Sequence, residues 1–198
     1  MSGRYILLEK GFLEKGRVIL DNTSTLEPGL ICWAGPGDPG RDERRSLPLG
    51  GVKQMVLDRS QIEAIIPHRD PFLLLDRVVE LVPGEYAVAE KDIVHTMDVF
   101  RGHFPGHPVF PGVLQLEALA QTGAVAVLSQ PEAEGKIILF GGVDKVRFRR
   151  QVVPGDTLRL EMRMIKSRGP VGKAEGKAYV DGRLVCSGMI TFAVADAS

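Results

Sequence analysis

Between Pro111 and Pro131 the chain carries its densest run of apolar residues, and the run does not keep to one stripe. Val113, Leu114, Leu116, Ala118, Leu119, Ala120, Ala124, Val125, Ala126, Val127 and Leu128 cover nearly every face of a helix drawn through them. A helix apolar all round is buried in protein or spans a membrane. A span needs about 20 predominantly apolar residues; this run is shorter and is interrupted by Gln115, Glu117 and Gln121. The pattern therefore predicts a buried helix in a soluble protein. Pro111 suits its first turn, where a missing N–H costs no intrahelical bond.

Elsewhere the pattern reads as strands punctuated by turn dipeptides. Residues 72–82 and 86–94 flank Pro83-Gly84, and residues 136–153 precede Pro154-Gly155. Residues 157–167 lead to Arg168-Gly169-Pro170, and residues 173–180 and 184–194 flank the hairpin signal Asp181-Gly182. Ser60 is expected to cap a short helix over residues 61–66 that stops at Pro67. About six strands joined mainly by tight turns imply an antiparallel sheet with one face free to cover the helix, an α+β two-layer domain. One sheet covers only part of a helix that is apolar all round, so a second subunit is expected to cover the rest.

The first part of the chain differs. Short apolar clusters at residues 5–8 and 17–20 suggest a weak hairpin. The charges of Arg4, Glu9, Lys10, Glu14 and Lys15 leave no continuous apolar run for a signal peptide. Residues 28–51 are rich in Gly, Pro and charge, the composition of a linker, with a docking arm or a native start near Met55 as the alternatives. The expected division is an N-terminal extension over residues 1–53, poorly ordered, and a globular domain over residues 54–198.

Composition adds limits. A chain of 198 residues, 44% of them hydrophobic, can build one sizeable core. Formal net charge is zero, so no global field recruits nucleic acid or anionic lipid. Cys32 and Cys186 are far apart and match no metal or redox spacing, and the four histidines form no zinc pattern, so no metal and a reducing cytoplasm are expected.

The candidate chemistry lies at the helix. Glu117 is a carboxylate in an apolar helix, where desolvation is expected to raise its pKa and suit it to carrying a proton. Gln121 follows one turn later on the same face, within reach of that carboxyl. His103 precedes the helix in a loop stiffened by Pro105, Pro108 and Pro111, and the N–H groups of Gly112 and Val113 open the helix without intrahelical partners. A base, an acid and an oxyanion site fall within one short segment.

HFPGHPVFPGVLQLEALAQ, beginning at His103, resembles the signature of FabZ-type (3R)-hydroxyacyl-acyl-carrier-protein dehydratases of the hot-dog fold. The resemblance continues in IPHRDPFLLLDR from Ile66, DKVRFRR from Asp144 and VPGD from Val153, and covers roughly residues 54–194. Asp70 departs from it, standing where the family often has Tyr.

The resemblance implies a long central helix wrapped by an antiparallel sheet, and dehydration of a (3R)-hydroxyacyl thioester in type II fatty acid biosynthesis. It implies no cofactor, the substrate arriving on the phosphopantetheine of acyl carrier protein. It further implies homodimers, assembled into a hexamer as a trimer of dimers, in which His103 of one subunit meets Glu117 of the other. His103 is then the base and Glu117 the acid, while the Gly112 N–H polarises the thioester carbonyl. Phe110, Leu139, Phe140 and Phe148 are candidates for an acyl tunnel or for ordinary core. Alternation along the strand puts Lys145, Arg147 and Arg149 on one face; with Arg150 and Arg101 they offer a local basic patch for the acidic carrier protein, or simply a solvated strand face. His68, Arg69, Asp76 and Arg77 are expected to brace the fold. A hot-dog acyl thioesterase and a non-catalytic acyl-binding hot-dog protein are the competing readings. Isomerase activity is disfavoured, because dehydratase-isomerases generally place Asp where Glu117 stands.

Overall fold

In a computed structural model of the chain, residues 57–197 are described throughout, and residues 11–14 and 17–20 as backbone. Strands β1 (Gly11–Glu14) and β2 (Arg17–Leu20) form a small antiparallel hairpin; β2 falls on the expected cluster at residues 17–20, but its partner is residues 11–14, and the cluster at residues 5–8 lies outside the described residues. The linker assigned to residues 28–51 lies outside the described residues.

Helix α1 (Arg59–Ile65) is capped by Asp58, not by Ser60. The Asp58 side chain accepts from the Gln61 N–H at 2.9 Å, and Gln61 returns the bond to the Asp58 N–H at 2.8 Å. This reciprocal box satisfies two orphan donors, whereas a cap at Ser60 would satisfy one. The Ser60 hydroxyl instead donates to Asp58.

Strands β3 (Arg77–Val82) and β4 (Tyr86–Asp92) form a hairpin over Pro83-Gly84, where Glu85 N–H donates to Val82 C=O and Gly84 has φ 75°. Proline followed by a residue at positive φ is a type II turn. The Gly84 N–H donates to Ala126 C=O, tying this turn to the end of helix α2 (Gly112–Leu128). Residues 72–76, expected as strand, are not. Leu73, Leu74 and Leu75 are all buried, which the alternation of a strand facing solvent on one side does not permit. The Leu74 N–H donates to the Gln121 side chain and not to a neighbouring strand.

After α2, strand β5 (Lys136–Phe148) is followed by β6 (Thr157–Arg168), β7 (Val171–Val180) and β8 (Arg183–Asp196). Asp181 and Gly182 both have positive φ, as a two-residue type I′ hairpin requires. The six-stranded sheet has the order β3-β4-β6-β7-β8-β5, all neighbours antiparallel, so the segment carrying α2 leads from one side of the sheet to its far edge. The sheet wraps α2, whose Ala118, Leu119, Ala124, Val125 and Ala126 are buried. Close approach needs small residues. A Cβ at Gly176 would stand 2.7 Å from the Met162 sulfur and 3.1 Å from Leu119. Among the described residues no helix is long and apolar enough to cross a membrane.

Strand β5 departs from simple alternation. Its pairing with β8 slips between Phe140 and Gly142 and again between Asp144 and Arg147, leaving one extra residue each time. These are bulges, which bend an edge strand and re-aim its side chains. Ile138, Phe140, Val143, Val146 and Phe148 therefore share the face turned toward α2, at spacings of two, three, three and two. Lys145, at φ 53°, belongs to the second bulge, so it does not share a simple face with Arg147 and Arg149 as alternation suggested.

At the other edge, charged side chains brace the β3–β4 hairpin. Arg77 donates to Glu90 at 2.8 Å and to both oxygens of Asp92, while Asp76 accepts from Lys91 Nζ and from the Asp92 N–H. Glu90 and Lys91 are buried. The bracing role expected for Asp76 and Arg77 fits these bonds. Withdrawing the Arg77 guanidinium from the buried Glu90 carboxylate removes a charge partner at short range. Arg77→Met is expected to lower unfolding free energy by roughly 3 kcal/mol, read from the urea midpoint at constant slope.

Candidate active site

The loop before α2 folds for local reasons. Phe104 N–H donates to His107 C=O and His107 N–H to Phe104 C=O, with Pro105 and Gly106 between them. Gly106 has φ 76°, which a proline-glycine turn requires and other residues resist. One step outward, Val109 N–H donates to His103 C=O, and His103 Nδ1 lies 2.7 Å from Val109 C=O. A carbonyl can only accept, so Nδ1 carries the hydrogen and Nε2 of the neutral ring is left with its lone pair. That is the tautomer a base needs.

At the start of α2, the N–H groups of Leu114 and Gln115 donate to Pro111 C=O. Those of Gly112 and Val113 are the first of the helix and have no intrahelical acceptor. The Phe148 ring covers Gly112 so closely that a Cβ there would stand 2.8 Å from ring carbons. Only glycine lets strand and helix approach this way.

One turn on, Glu117 faces a cavity of about 130 Å³ between α2 and the sheet. His68, Glu117 and Gln121 give it polar groups; Ile138, Leu139, Phe140, Met162, Met164 and Phe192 are among its apolar walls. Gln121 Nε2 donates to Glu117 Oε1 at 2.9 Å and to Phe72 C=O at 2.9 Å, while its Oε1 accepts from Leu74 N–H at 2.8 Å. The contact expected between Gln121 and Glu117 is therefore present, and the same amide ties down the segment after Pro71. His68 Nε2 stands 3.5 Å from Glu117 Oε1, so a residue assigned to bracing faces the candidate acid. No spacing rule links positions 68 and 117; only the fold brings them together.

The carboxyl differs from expectation. Burial pushes Glu117 upward, but the His68 ring and the Gln121 amide, both directed at the carboxylate, outweigh it, and the group sits below the ordinary glutamate value. The sequence showed an apolar helix around Glu117 but not the two donors aimed at one of its oxygens.

The other candidates separate. Phe140 and Leu139 line the cavity. Phe148 covers Gly112. Phe110 is 1% exposed in the core, with its N–H bonded to Val152 C=O. Val113 is exposed at the helix start. Arg147, Arg149 and Arg150 are exposed; Arg147 donates to Val146 C=O and Arg149 to the Ser187 hydroxyl. Arg101 is exposed, 3.7 Å from Asp98. Asp70 pairs with Arg59. His103 is not among the residues lining the cavity at Glu117.

A long helix wrapped by one antiparallel sheet is the hot-dog architecture. Solved structures share this fold. The dehydratase heterocomplex ApeI:P from Xenorhabdus doucetiae aligns with TM-score 0.59 at 18% identity, over 69% of this chain and 91% of that one. An uncharacterized protein from Pyrococcus horikoshii aligns with TM-score 0.50 at 21% identity, over 64% and 87%. Residues 66–189 match the FabA-like domain, and the chain belongs to that family. It is 56% identical over 143 residues, 72% of this chain and 98% of the relative, to the 3-hydroxyacyl-[acyl-carrier-protein] dehydratase FabZ of Staphylococcus aureus strain JH9. The FabZ of S. aureus strain Newman matches equally.

Proposed function

We propose that the chain is a 3-hydroxyacyl-[acyl-carrier-protein] dehydratase, a hydro-lyase that converts (3R)-hydroxyacyl thioesters to trans-2-enoyl thioesters in fatty acid biosynthesis. The observation that carries the reading is Glu117 facing the cavity in a chain whose His103 has Nδ1 held by Val109 C=O and Nε2 left free to accept. Resemblance to a named dehydratase at 56% identity supports it.

In this reading His103 Nε2 takes the proton from C2, and the Gly112 N–H hydrogen-bonds the thioester oxygen on which charge develops. Glu117 gives a proton to the hydroxyl leaving C3. Its low resting value makes the protonated carboxyl the minor form before substrate binds. The acyl chain, by displacing water from the cavity, removes solvation from the carboxylate and favours the acid.

Two copies are needed for one site. Phe140, Val143 and Phe148 lie on the helix-facing side of edge strand β5, yet each is 47–50% exposed. An apolar edge of this kind invites pairing with a second copy. A second copy there brings its own loop to this cavity and supplies the His103 that the single chain does not. Dimers, and a trimer of dimers, are the assemblies proposed.

Acyl carrier protein is the proposed partner, met by Arg147, Arg149 and Arg150. Arg147→Ala with Arg149→Ala is expected to raise KM for the carrier-borne substrate about tenfold at low salt, the difference shrinking as ionic strength rises. A pantetheine-borne substrate should be unaffected, and an equal loss on both substrates counts against docking there.

The deciding experiment follows enoyl product from 3-hydroxybutyryl-acyl carrier protein, using the full chain and a chain starting at Met55. Equal turnover supports the dehydratase and makes the N-terminal extension dispensable. Thioester hydrolysis without enoyl product would establish the thioesterase instead. Binding with neither reaction would establish the acyl-binding protein.

A further inference from the structure

Glu117 has two carboxylate oxygens, and the two side-chain donors around it choose the same one. Gln121 Nε2 lies 2.9 Å from Oε1, and His68 Nε2 lies 3.5 Å from that same Oε1. Gln121 is itself fixed, because its other contacts are the backbone groups of Phe72 and Leu74. His68 follows Pro67, and its ring lies nearly parallel to that of Phe72, 18° between planes at 6.4 Å. Its Nδ1 is buried with no partner among the described residues. A hydrogen placed there would be an unsatisfied buried donor. The hydrogen therefore belongs on Nε2, the nitrogen that faces a group able only to accept. Burial at Nδ1 and the acceptor at Nε2 select the same tautomer.

We infer that His68 is a positioning residue for dehydration: with Gln121 it occupies Oε1 of Glu117, so that the transferable proton is carried on Oε2 toward the substrate. An Oε1 facing two N–H groups cannot itself hold a hydrogen without meeting them, whereas Oε2 can. The carboxyl is thus held in one orientation before substrate arrives, and the same atom gives up the proton at each turnover. The inference rests on the reading of Glu117 as the catalytic acid.

Few other charges bear on this pair. The remaining lining of the cavity is apolar apart from the Gln121 amide. The Arg69 guanidinium is turned to the carbonyls of Ile66 and His68. The proposed second copy adds His103.

Donors aimed at a carboxylate favour its ionised form. Losing one raises the pH at which Glu117 protonates, so the alkaline limb of the kcat profile, where the acid form of Glu117 is lost, moves to higher pH. Two amides separate this role from packing. The longer side chain of His68→Gln can bring an N–H to the place of Nε2, and that of His68→Asn falls short. For His68→Asn, that alkaline limb is expected to move up by about one pH unit while kcat at the optimum falls. The loss should lie in kcat, with KM nearly unchanged, and His68→Gln should restore most of the profile. Asn and Gln variants with the native profile shape, whatever their absolute rates, would overturn the inference. Glu117→Gln assayed alongside separates the two levels: if it stays active, the catalytic reading itself fails. If it is inactive while His68→Asn keeps the native shape, only the role of His68 fails.

Discussion

Glu117→Gln and His103→Ala should each reduce dehydration of 3-hydroxybutyryl-acyl carrier protein by about a thousandfold or more, since a positioned general acid or base contributes roughly 10²–10⁴. The two losses have different causes. The amide introduced by Glu117→Gln would keep the shape of the side chain and its place beside Gln121 and His68, but has no proton to give the leaving hydroxyl. His103→Ala removes the ring whose Nδ1 is held by Val109 C=O and whose Nε2 is free to accept. Neither change empties a core position, because both side chains lie at partly open sites. Both variants should therefore keep native oligomer size and melting temperature, measured by sedimentation and calorimetry. Either variant retaining a tenth of native turnover would remove its residue from the mechanism.

Mixed after joint unfolding and refolding, the two inactive variants should regain activity. If each site joins His103 of one copy to Glu117 of another, a dimer with one subunit of each kind has one intact site and one lacking both groups. Random pairing makes half the dimers mixed, so about a quarter of native turnover is expected, a rise on the order of several hundredfold over either variant alone. Separate variants combined without exchange serve as the control. No recovery after verified exchange would mean that acid and base come from the same copy. This test bears directly on the exposed β5 edge and on the absence of His103 from the lining of its own chain's cavity.

Patterning alone made a good part of this architecture legible. An apolar run between two prolines gave α2 nearly to its ends, and the Pro-Gly and Asp-Gly pairs located turns whose dihedral angles require them. Those features are local: proline fixes φ and glycine accepts positive φ whatever the surroundings. Where side chains reach far along the chain, local reading failed. Residues 72–76 looked like strand because they are apolar, yet their backbone is held by Gln121, a side chain 47 positions away from Leu74. The bulges of β5 were hidden for a similar reason, since register is a property of two strands and only the pairing with β8 exposes the extra residues.

The site divides along the same line. Helical periodicity and turn chemistry place the helix, the stiff loop with His103, the carboxyl of Glu117 and the amide one turn later, so all four were readable from the chain. The state of that carboxyl was not, because it depends on packing. His68, far away in the chain, is carried to within 3.5 Å of Glu117 Oε1 by the segment docked on Gln121, and the two donors together offset burial and hold the carboxyl low. A pKa is set by the solvation and donors around a group, and those are fixed by packing, not by neighbours in sequence.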